Sequence, residues 1–340
     1  MNAPFSPRKL LLPLVPAYRL ALALRELQLR IGLETVRRLR WSVVSIGSLS
    51  AGGAGKTPLT IALAKALAGR GLRVDVLSRG YGRRSQRPAH VRPDGRAEEF
   101  GDEPLLIARK AGVPVYVAAQ RYEAGLLAEA DRSADLRPGL HLLDDGFQHR
   151  QLHRDVNILL LDGHDWREDG LLPAGNLREP LKAARRATII AIPAQGGAPE
   201  LEAALRAWGF AGPIWRLRRT MGAPAFVGPV AAFCGIARPE QFFAGLEAAG
   251  LQLAARLAFP DHHRYTVHDL DGLATAARKA GATTFVTTEK DQVRLGNLLA
   301  NFPESLPLKT AGLRVEIEHE DEAVDWLVEQ LNPHRAHPPL

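Results

Sequence analysis

From Ser42 onward the chain alternates short apolar runs with stretches whose apolar residues recur every three to four positions. The runs Ser42–Ile46, Arg73–Leu77, Val113–Val117, His141–Leu143, Val156–Leu161 and Thr188–Ile192 read as strands. Helical periodicity fills residues 58–69, 102–111 and 121–131 between them. Alternation of this kind predicts an α/β fold, a mostly parallel sheet with helices on both faces. Ligands of such sheets sit beyond the carboxyl ends of the strands. That rule singles out the segments after Ile46, Leu77 and Leu143.

The texture changes over residues 195–225, where Gly196, Gly197, Pro199, Gly212, Pro213, Gly222 and Pro224 interrupt the pattern. A second alternation follows: Ala231–Cys234, a helix near 239–249, Leu251–Phe259, a helix near 268–280, Thr283–Thr287 and a helix near 321–331. The expected organisation is an N-terminal segment over 1–40, a core over 41–200, a smaller second α/β domain over 201–333 and a frayed tail over 334–340. No internal repeat or heptad array is visible.

Charge separates the N-terminal segment from the rest. The net charge is +7, and residues 1–40 hold eight basic residues (Arg8, Lys9, Arg19, Arg25, Arg30, Arg37, Arg38 and Arg40) against Glu26 and Glu34. The remainder is therefore close to neutral, unlike a nucleic-acid-binding body with its own basic patch. The segment is also apolar: Leu20, Leu24, Leu27 and Ile31 share one helical face. Pro13, Pro16 and Arg19 break its apolar run short of the roughly 20 residues that span a bilayer. No small-residue cleavage site marks a signal peptide. Two readings remain: a helix packed on the body, or an interfacial helix on an anionic membrane surface. The single cysteine, Cys234, excludes an internal disulfide and a cysteine-cluster metal site.

The densest chemistry lies at Ser50-Ala51-Gly52-Gly53-Ala54-Gly55-Lys56-Thr57, between the run ending at Ile46 and the helical pattern beginning at Pro58. Strand, glycine loop and helix in this order form a phosphate cradle, a P-loop NTPase-like arrangement. The glycines turn backbone N–H groups toward phosphates, Lys56 reaches the β- and γ-phosphates, and the Thr57 hydroxyl suits Mg²⁺. Ser50 stands where such loops usually begin with glycine.

A second signal is Leu140-His141-Leu142-Leu143-Asp144-Asp145-Gly146, a strand ending in carboxylates that can serve a nucleotide-bound metal. Adjacent carboxylates on a strand diverge, so both need not touch the ion. Asp102, in Gly101-Asp102-Glu103-Pro104, is either a helix cap or the general base that a hydroxyl-phosphorylating kinase needs. Arg79 offers a planar fork to a phosphate. His262 and His263 are a poor chelating pair; a histidine orienting a carboxylate or touching substrate fits better. Thr287-Thr288-Glu289-Lys290-Asp291 departs from the N-K-x-D order of guanine readers, and Ala51 departs from the signature lysine of partition-type ATPases. A membrane-associated regulatory GTPase is the alternative these departures disfavour.

With its blocks in order, the chain resembles the tetraacyldisaccharide 4′-kinase family of Gram-negative bacteria. The resemblance runs through Gly47–Pro58, Ser78-Arg79-Gly80-Tyr81, Gly101–Pro104, Asp144–His149, Leu172–Pro180, Phe259–His263 and Thr287–Asp291, about residues 10–295. Asn176 departs from a proline expected in the fifth block. The resemblance implies a kinase using ATP and Mg²⁺ at the cytoplasmic face of the inner membrane, peripherally or monotopically bound. Its implied acceptor is the 4′-hydroxyl of a tetraacylated glucosamine disaccharide 1-phosphate, with no nucleic acid and no obligate protein partner. It also implies Asp102 as base paired with His262, Lys56 on the transferring group, Thr57, Asp144 and Asp145 at the metal, and Arg79, Tyr81, Gln148, Arg178 and Glu179 toward the acceptor.

Overall fold

The computed structural model describes residues 7–53, 55–131, 139–163, 170–222 and 228–331. Ala54 of the glycine loop and the tail 334–340 lie outside the described residues. The strands are β1 (Ser42–Ser48), β2 (Val74–Ser78), β3 (Ala89–His90), β4 (Val115–Val117), β5 (Leu140–Asp144), β6 (Val156–Leu160), β7 (Ile189–Pro193), β8 (Ile214–Gly222), β9 (Val230–Cys234), β10 (Leu253–Ala258), β11 (Thr284–Thr288) and β12 (Leu308–Ile317). They form one twelve-stranded sheet ordered β10-β9-β11-β12-β8-β7-β6-β1-β5-β2-β4-β3. Only β8–β12 and β3–β4 pair antiparallel. The helices are α1 (Val15–Arg30), α2 (Lys56–Gly69), α3 (Ala97–Phe100), α4 (Asp102–Ala111), α5 (Arg121–Asp131), α6 (Ala198–Ala207), α7 (Pro239–Ala248), α8 (Val267–Lys279), α9 (Glu289–Leu295) and α10 (Glu320–Leu331).

Helices cover both faces because successive residues of the central strands point to opposite sides and both sides are apolar. Val44 and Ile46 of β1 pack with Leu59, Leu63 and Leu67 of α2. Their neighbour Val43 packs with Leu143, Ala124 and Ala128 on the other face, under α5. Leu63 is fully buried, and Leu63→Ala would cost about 2–5 kcal/mol through lost transfer energy and a cavity.

The second alternation continues the same sheet through β12. The start of β12 pairs with β11, and its continuation from Gly312 to Ile317 pairs with β8. Sequence periodicity missed β8, β12, α6 and α9, and it assigned 195–225 to irregular chain. Parallel pairing sets Ile46 of β1 opposite Asp144 of β5, so the glycine loop and the aspartate pair emerge side by side at the carboxyl edge.

Helix α1 buries none of its residues. It is attached by the Tyr18 hydroxyl donating to the Arg178 carbonyl at 2.8 Å, by Arg25 donating to the Gln148 carbonyl at 3.0 Å, and by a Glu26–Arg150 ion pair. Leu20, Leu24, Leu27 and Ile31 are each more than half exposed. A groove of about 810 Å³ runs between α1 and the 179–186 segment. Among the described residues no helix is long and apolar enough to cross a membrane.

Candidate active site

The glycine loop is held open by its backbone. Gly53 and Gly55 have φ of 68° and 85°, left-handed values that strain any residue with a Cβ. Gly55 caps α2, whose free N–H groups face the loop. A Cβ at Gly53 would lie 2.8 Å from Arg238 Cδ, and one at Gly55 3.5 Å from Arg219 Nη2. Two arginines from the second half of the chain therefore hang over the phosphate cradle, and neither lies in a motif. Thr57 is buried. The Lys56 ammonium lies 3.6 Å from Asp145 Oδ1 and donates to Ser48 Oγ at 3.4 Å.

The Leu172–Pro180 block straps this loop. Arg178 N donates to the Leu49 carbonyl at 2.7 Å, and Ala51 N donates to the Asn176 carbonyl at 2.8 Å. Arg178 Nε donates to the Ser50 carbonyl at 3.2 Å, while its two Nη atoms donate to Asp145 Oδ2 and Oδ1, each at 2.9 Å. Arg178 thus clamps the loop to the aspartate pair.

The two aspartates diverge. Asp144, the last residue of β5, is 2% exposed, and its Oδ1 lies 3.1 Å from the Thr60 hydroxyl. Burial first, then the Glu103 and Asp145 carboxylates, push Asp144 up to about 7. Asp145 turns away at φ 49°. Burial acts against its charge too, but Lys56 and Arg178 outweigh burial and hold it well below the usual carboxylate range.

Across the cleft, Asp102 opens α4 and is 6% exposed. The N-cap position of the helix is Gly101 and carries no side-chain cap, while Asp102 Oδ1 accepts from Glu103 N at 3.0 Å. Its Oδ2 lies 3.1 Å from His262 Nδ1 and accepts from Arg294 Nε at 2.6 Å. Burial opposes the charge, but His262, Arg294 and Lys290 more than offset it and keep Asp102 well below its ordinary range. The hydrogen bond to Asp102 raises His262 in turn. His262 sits at φ 58°, with the Tyr81 ring 5.0 Å from its own. Beside this pair Lys290 forms an ion pair with Glu103.

One cavity of about 400 Å³ joins these parts; Lys56, Thr57, Glu103, Arg238, His262 and Lys290 line it. Its far wall is apolar, with Ile61, Leu106, Met221, Ile236, Phe242 and Leu313.

The remaining predicted residues scatter around this centre. Arg79 is exposed at the rim. It contributes with Arg121, Arg154 and Arg25 to lowering His149 to about 3, after burial, which is the larger cause. Gln148 Nε2 donates to the Ser48 carbonyl at 3.0 Å. Glu179 accepts from Arg186 at 2.9 and 2.8 Å and does not face the cavity. His263 bonds Asp269 at 3.2 Å and stacks on Phe259. Asp291, fully buried, accepts from Gly235 N at 3.1 Å, the Tyr265 hydroxyl at 3.1 Å, the Thr288 hydroxyl at 2.6 Å and Arg294 at 2.9 Å. An aspartate so enclosed cannot read a guanine; Asp291 is a structural clasp, while Thr288, Glu289 and Lys290 of the same block line the cavity.

A family model described as tetraacyldisaccharide-1-P 4′-kinase matches residues 7–332. The chain is 40% identical over 327 residues to a tetraacyldisaccharide 4′-kinase of Koribacter versatilis (strain Ellin345), covering 93% of this chain and 97% of that one. It is 43% identical over 307 residues to one from Anaeromyxobacter dehalogenans (strain 2CP-C), covering 83% and 80%. The crystal structure of "apo" form LpxK from Aquifex aeolicus in complex with ATP superposes with a TM-score of 0.71 at 32% identity, over 95% of this chain and 99% of that one.

Proposed function

The chain belongs to the tetraacyldisaccharide-1-P 4′-kinase family, and on that premise we propose that it carries the γ-phosphoryl group of ATP to the 4′-hydroxyl of a tetraacylated glucosamine disaccharide 1-phosphate. It is a kinase of lipid A biosynthesis. One observation carries the assignment of roles: Lys56 of the glycine loop and His262, the partner of Asp102, line the same cavity.

ATP phosphates lie along Ser50–Thr57, with the adenine toward the apolar wall of Ile61, Leu106, Met221 and Phe242. Lys56 stabilises charge on the transferring group, and Arg219 and Arg238 add positive charge above the loop. The Thr57 hydroxyl and the Asp144 and Asp145 carboxylates are hard oxygen donors and fit Mg²⁺. Asp144, raised by burial and by two neighbouring carboxylates, is the one most relieved by a cation. When bound, Mg²⁺ supplies positive charge to the β- and γ-phosphate oxygens. Asp102 accepts the proton of the attacking hydroxyl while His262 orients it. Arg79, exposed beside His149, offers the anionic acceptor a positive charge, with the buried Arg121 charge behind it.

Phosphate transfer from labelled ATP to the purified disaccharide in detergent tests the reading; a folded enzyme that leaves the disaccharide unlabelled overturns it. The leucine face of α1 and its arginines meet the membrane surface, with the helix lying in the interface. Leu20→Glu combined with Leu24→Glu should release the protein from sedimenting anionic vesicles; undiminished sedimentation moves the contact elsewhere.

A further inference from the structure

Arg294 belongs to none of the blocks that carry the family likeness, yet it touches both members of the acid–base pair. Its Nε lies 2.6 Å from Asp102 Oδ2 and its Nη2 3.3 Å from His262 Nδ1. Behind these contacts Nη1 is fixed by Asp291 Oδ1 at 2.9 Å and by the Gly235 carbonyl. Only 6% of the side chain is exposed. All three guanidinium nitrogens are engaged, Nε and Nη2 sharing Asp102 Oδ2 while Nη1 holds the anchor, and a lysine ammonium cannot reproduce that fork.

The geometry points to Arg294 as a positioning residue for phosphoryl transfer: anchored on Asp291, it fixes the Asp102 carboxylate against His262. The inference rests on Asp102 being the base. Without Arg294, a nearly buried carboxylate would keep His262 as its hydrogen-bonded partner. Asp261 beside His262, Glu103 on its own helix and Asp291 on α9 would then disfavour its charge. Lys290 on α9 and Lys56 on α2 would favour it, but Lys290 is already paired with Glu103, and Lys56 lies on Asp145. The loop after β2 contributes Arg79, Tyr81 and Arg83. Burial with unshielded like charges raises a carboxylate, so the base would fill with a proton at higher pH.

The same helix pair supplies the reason a substitution should fold. Lys290 and Arg294 are four residues apart on α9 and therefore share one face. They meet Glu103 and Asp102, the successive residues that open α4. Lys290–Glu103 remains to dock α9 when Arg294 is replaced.

The test measures kcat/KM for the disaccharide from about pH 3, below the ordinary carboxylate range, to about pH 9 in wild type, Arg294→Gln and Arg294→Lys, with the melting temperature of each. The glutamine variant is expected to lose roughly 10–100-fold in kcat near pH 7. Its acid limb should move up by about one pH unit or more, with KM for ATP nearly unchanged. The lysine variant should move the limb by less. A purely packing role lowers the melting temperature and leaves the limb in place, so an unmoved limb in a folded glutamine variant overturns the inference. If that variant fails to fold, the limb of the lysine variant decides by the same criterion. Asp102→Asn in the same assay separates the two failures: wild-type turnover there removes the base itself, whereas an inactive Asp102→Asn beside an unmoved Arg294 limb removes only the role of Arg294.

Discussion

Two aspartates of this site are each gripped by an arginine, and the two grips are built from different distances along the chain. Asp145 and Arg178 are 33 residues apart and meet through two parallel bonds of 2.9 Å. They belong to the segments that follow β5 and β6, the two strands that flank β1, and Arg178 also holds the Ser50 carbonyl. Asp102 and Arg294 are 192 residues apart and meet across the cleft. The phosphate loop and its clamp are thus built within one stretch of sheet, with Arg219 and Arg238 added over the loop from the second half of the chain. The acceptor end exists only when α9 and the His262 turn lie against α4. The first grip shapes a loop; the second sets the chemistry of a base.

The largest effects should fall on the groups these grips serve. Lys56→Ala removes charge aimed at the transferring phosphoryl, and turnover should fall by about 10³-fold or more while the melting temperature holds. Asp102→Asn should cost about 10²–10⁴ in kcat and leave ATP affinity nearly intact, since the acceptor base stands apart from the loop. Steady-state kinetics with a separate nucleotide-binding measurement reads both. If Asp102→Asn weakens ATP binding as much as turnover, the two ends act as one unit.

A smaller effect should separate the grips themselves. Arg178→Ala leaves Asp145 to Lys56 and the charge of Arg121, and leaves the Ser50 carbonyl to the Ser48 hydroxyl. The pair is partly exposed, so the stability loss should be about 1–2 kcal/mol rather than that of a fully buried ion pair. KM for ATP should rise several-fold, and the acid limb of the pH profile should stay where it is, the opposite pattern to Arg294→Gln. Thermal melting and ATP saturation curves read this. A shifted acid limb in Arg178→Ala would mean that the loop clamp also tunes the base.

The same contrast explains what the sequence made legible. The glycine loop, the Asp144–Asp145 turn and the start of α4 at Asp102 are contiguous motifs, and strand–helix alternation was enough to put them at one edge. The ribbon of β8 and β12 was missed although Trp215 and Leu217 are buried between exposed Arg216 and Arg218, a period of two. Gly212-Pro213 just before it reads as loop, and its partner strand lies about a hundred residues on. Helix α9 has seven residues, most of them polar, too few for a periodic signal. Arg294, Lys290, Arg219 and Arg238 escaped because their partners are set by tertiary docking. Arg178 and Glu179 of the Leu172–Pro180 block are expected toward the acceptor; the block's backbone hydrogen bonds to the phosphate loop leave no mark on side-chain pattern.

A third buried pair, at the opposite end of β5, provides the control with the smallest catalytic effect. His141 is fully buried beneath Trp41, with Nδ1 2.6 Å from Asp75 Oδ1 and Nε2 3.4 Å from Glu129 Oε1. Burial alone would depress its proton affinity, but Asp75 and Glu129 outweigh burial and raise it to about 9. The folded value lies above the unfolded one of about 6.5. The pair's stabilisation is therefore fully present below about pH 6.5 and is lost as pH rises through about 9, by an amount on the order of 2–3 kcal/mol. The melting temperature of the wild type should fall by a few degrees across that window, and Asp75→Asn should flatten the decline. Neither residue lines the cavity, so kcat near pH 7 should not change. An unchanged slope in Asp75→Asn would mean that another group carries the decline. A flattened slope with intact turnover shows that a buried ion pair here can set stability alone, which leaves any movement of the acid limb in the Arg294 variants attributable to the base that arginine touches.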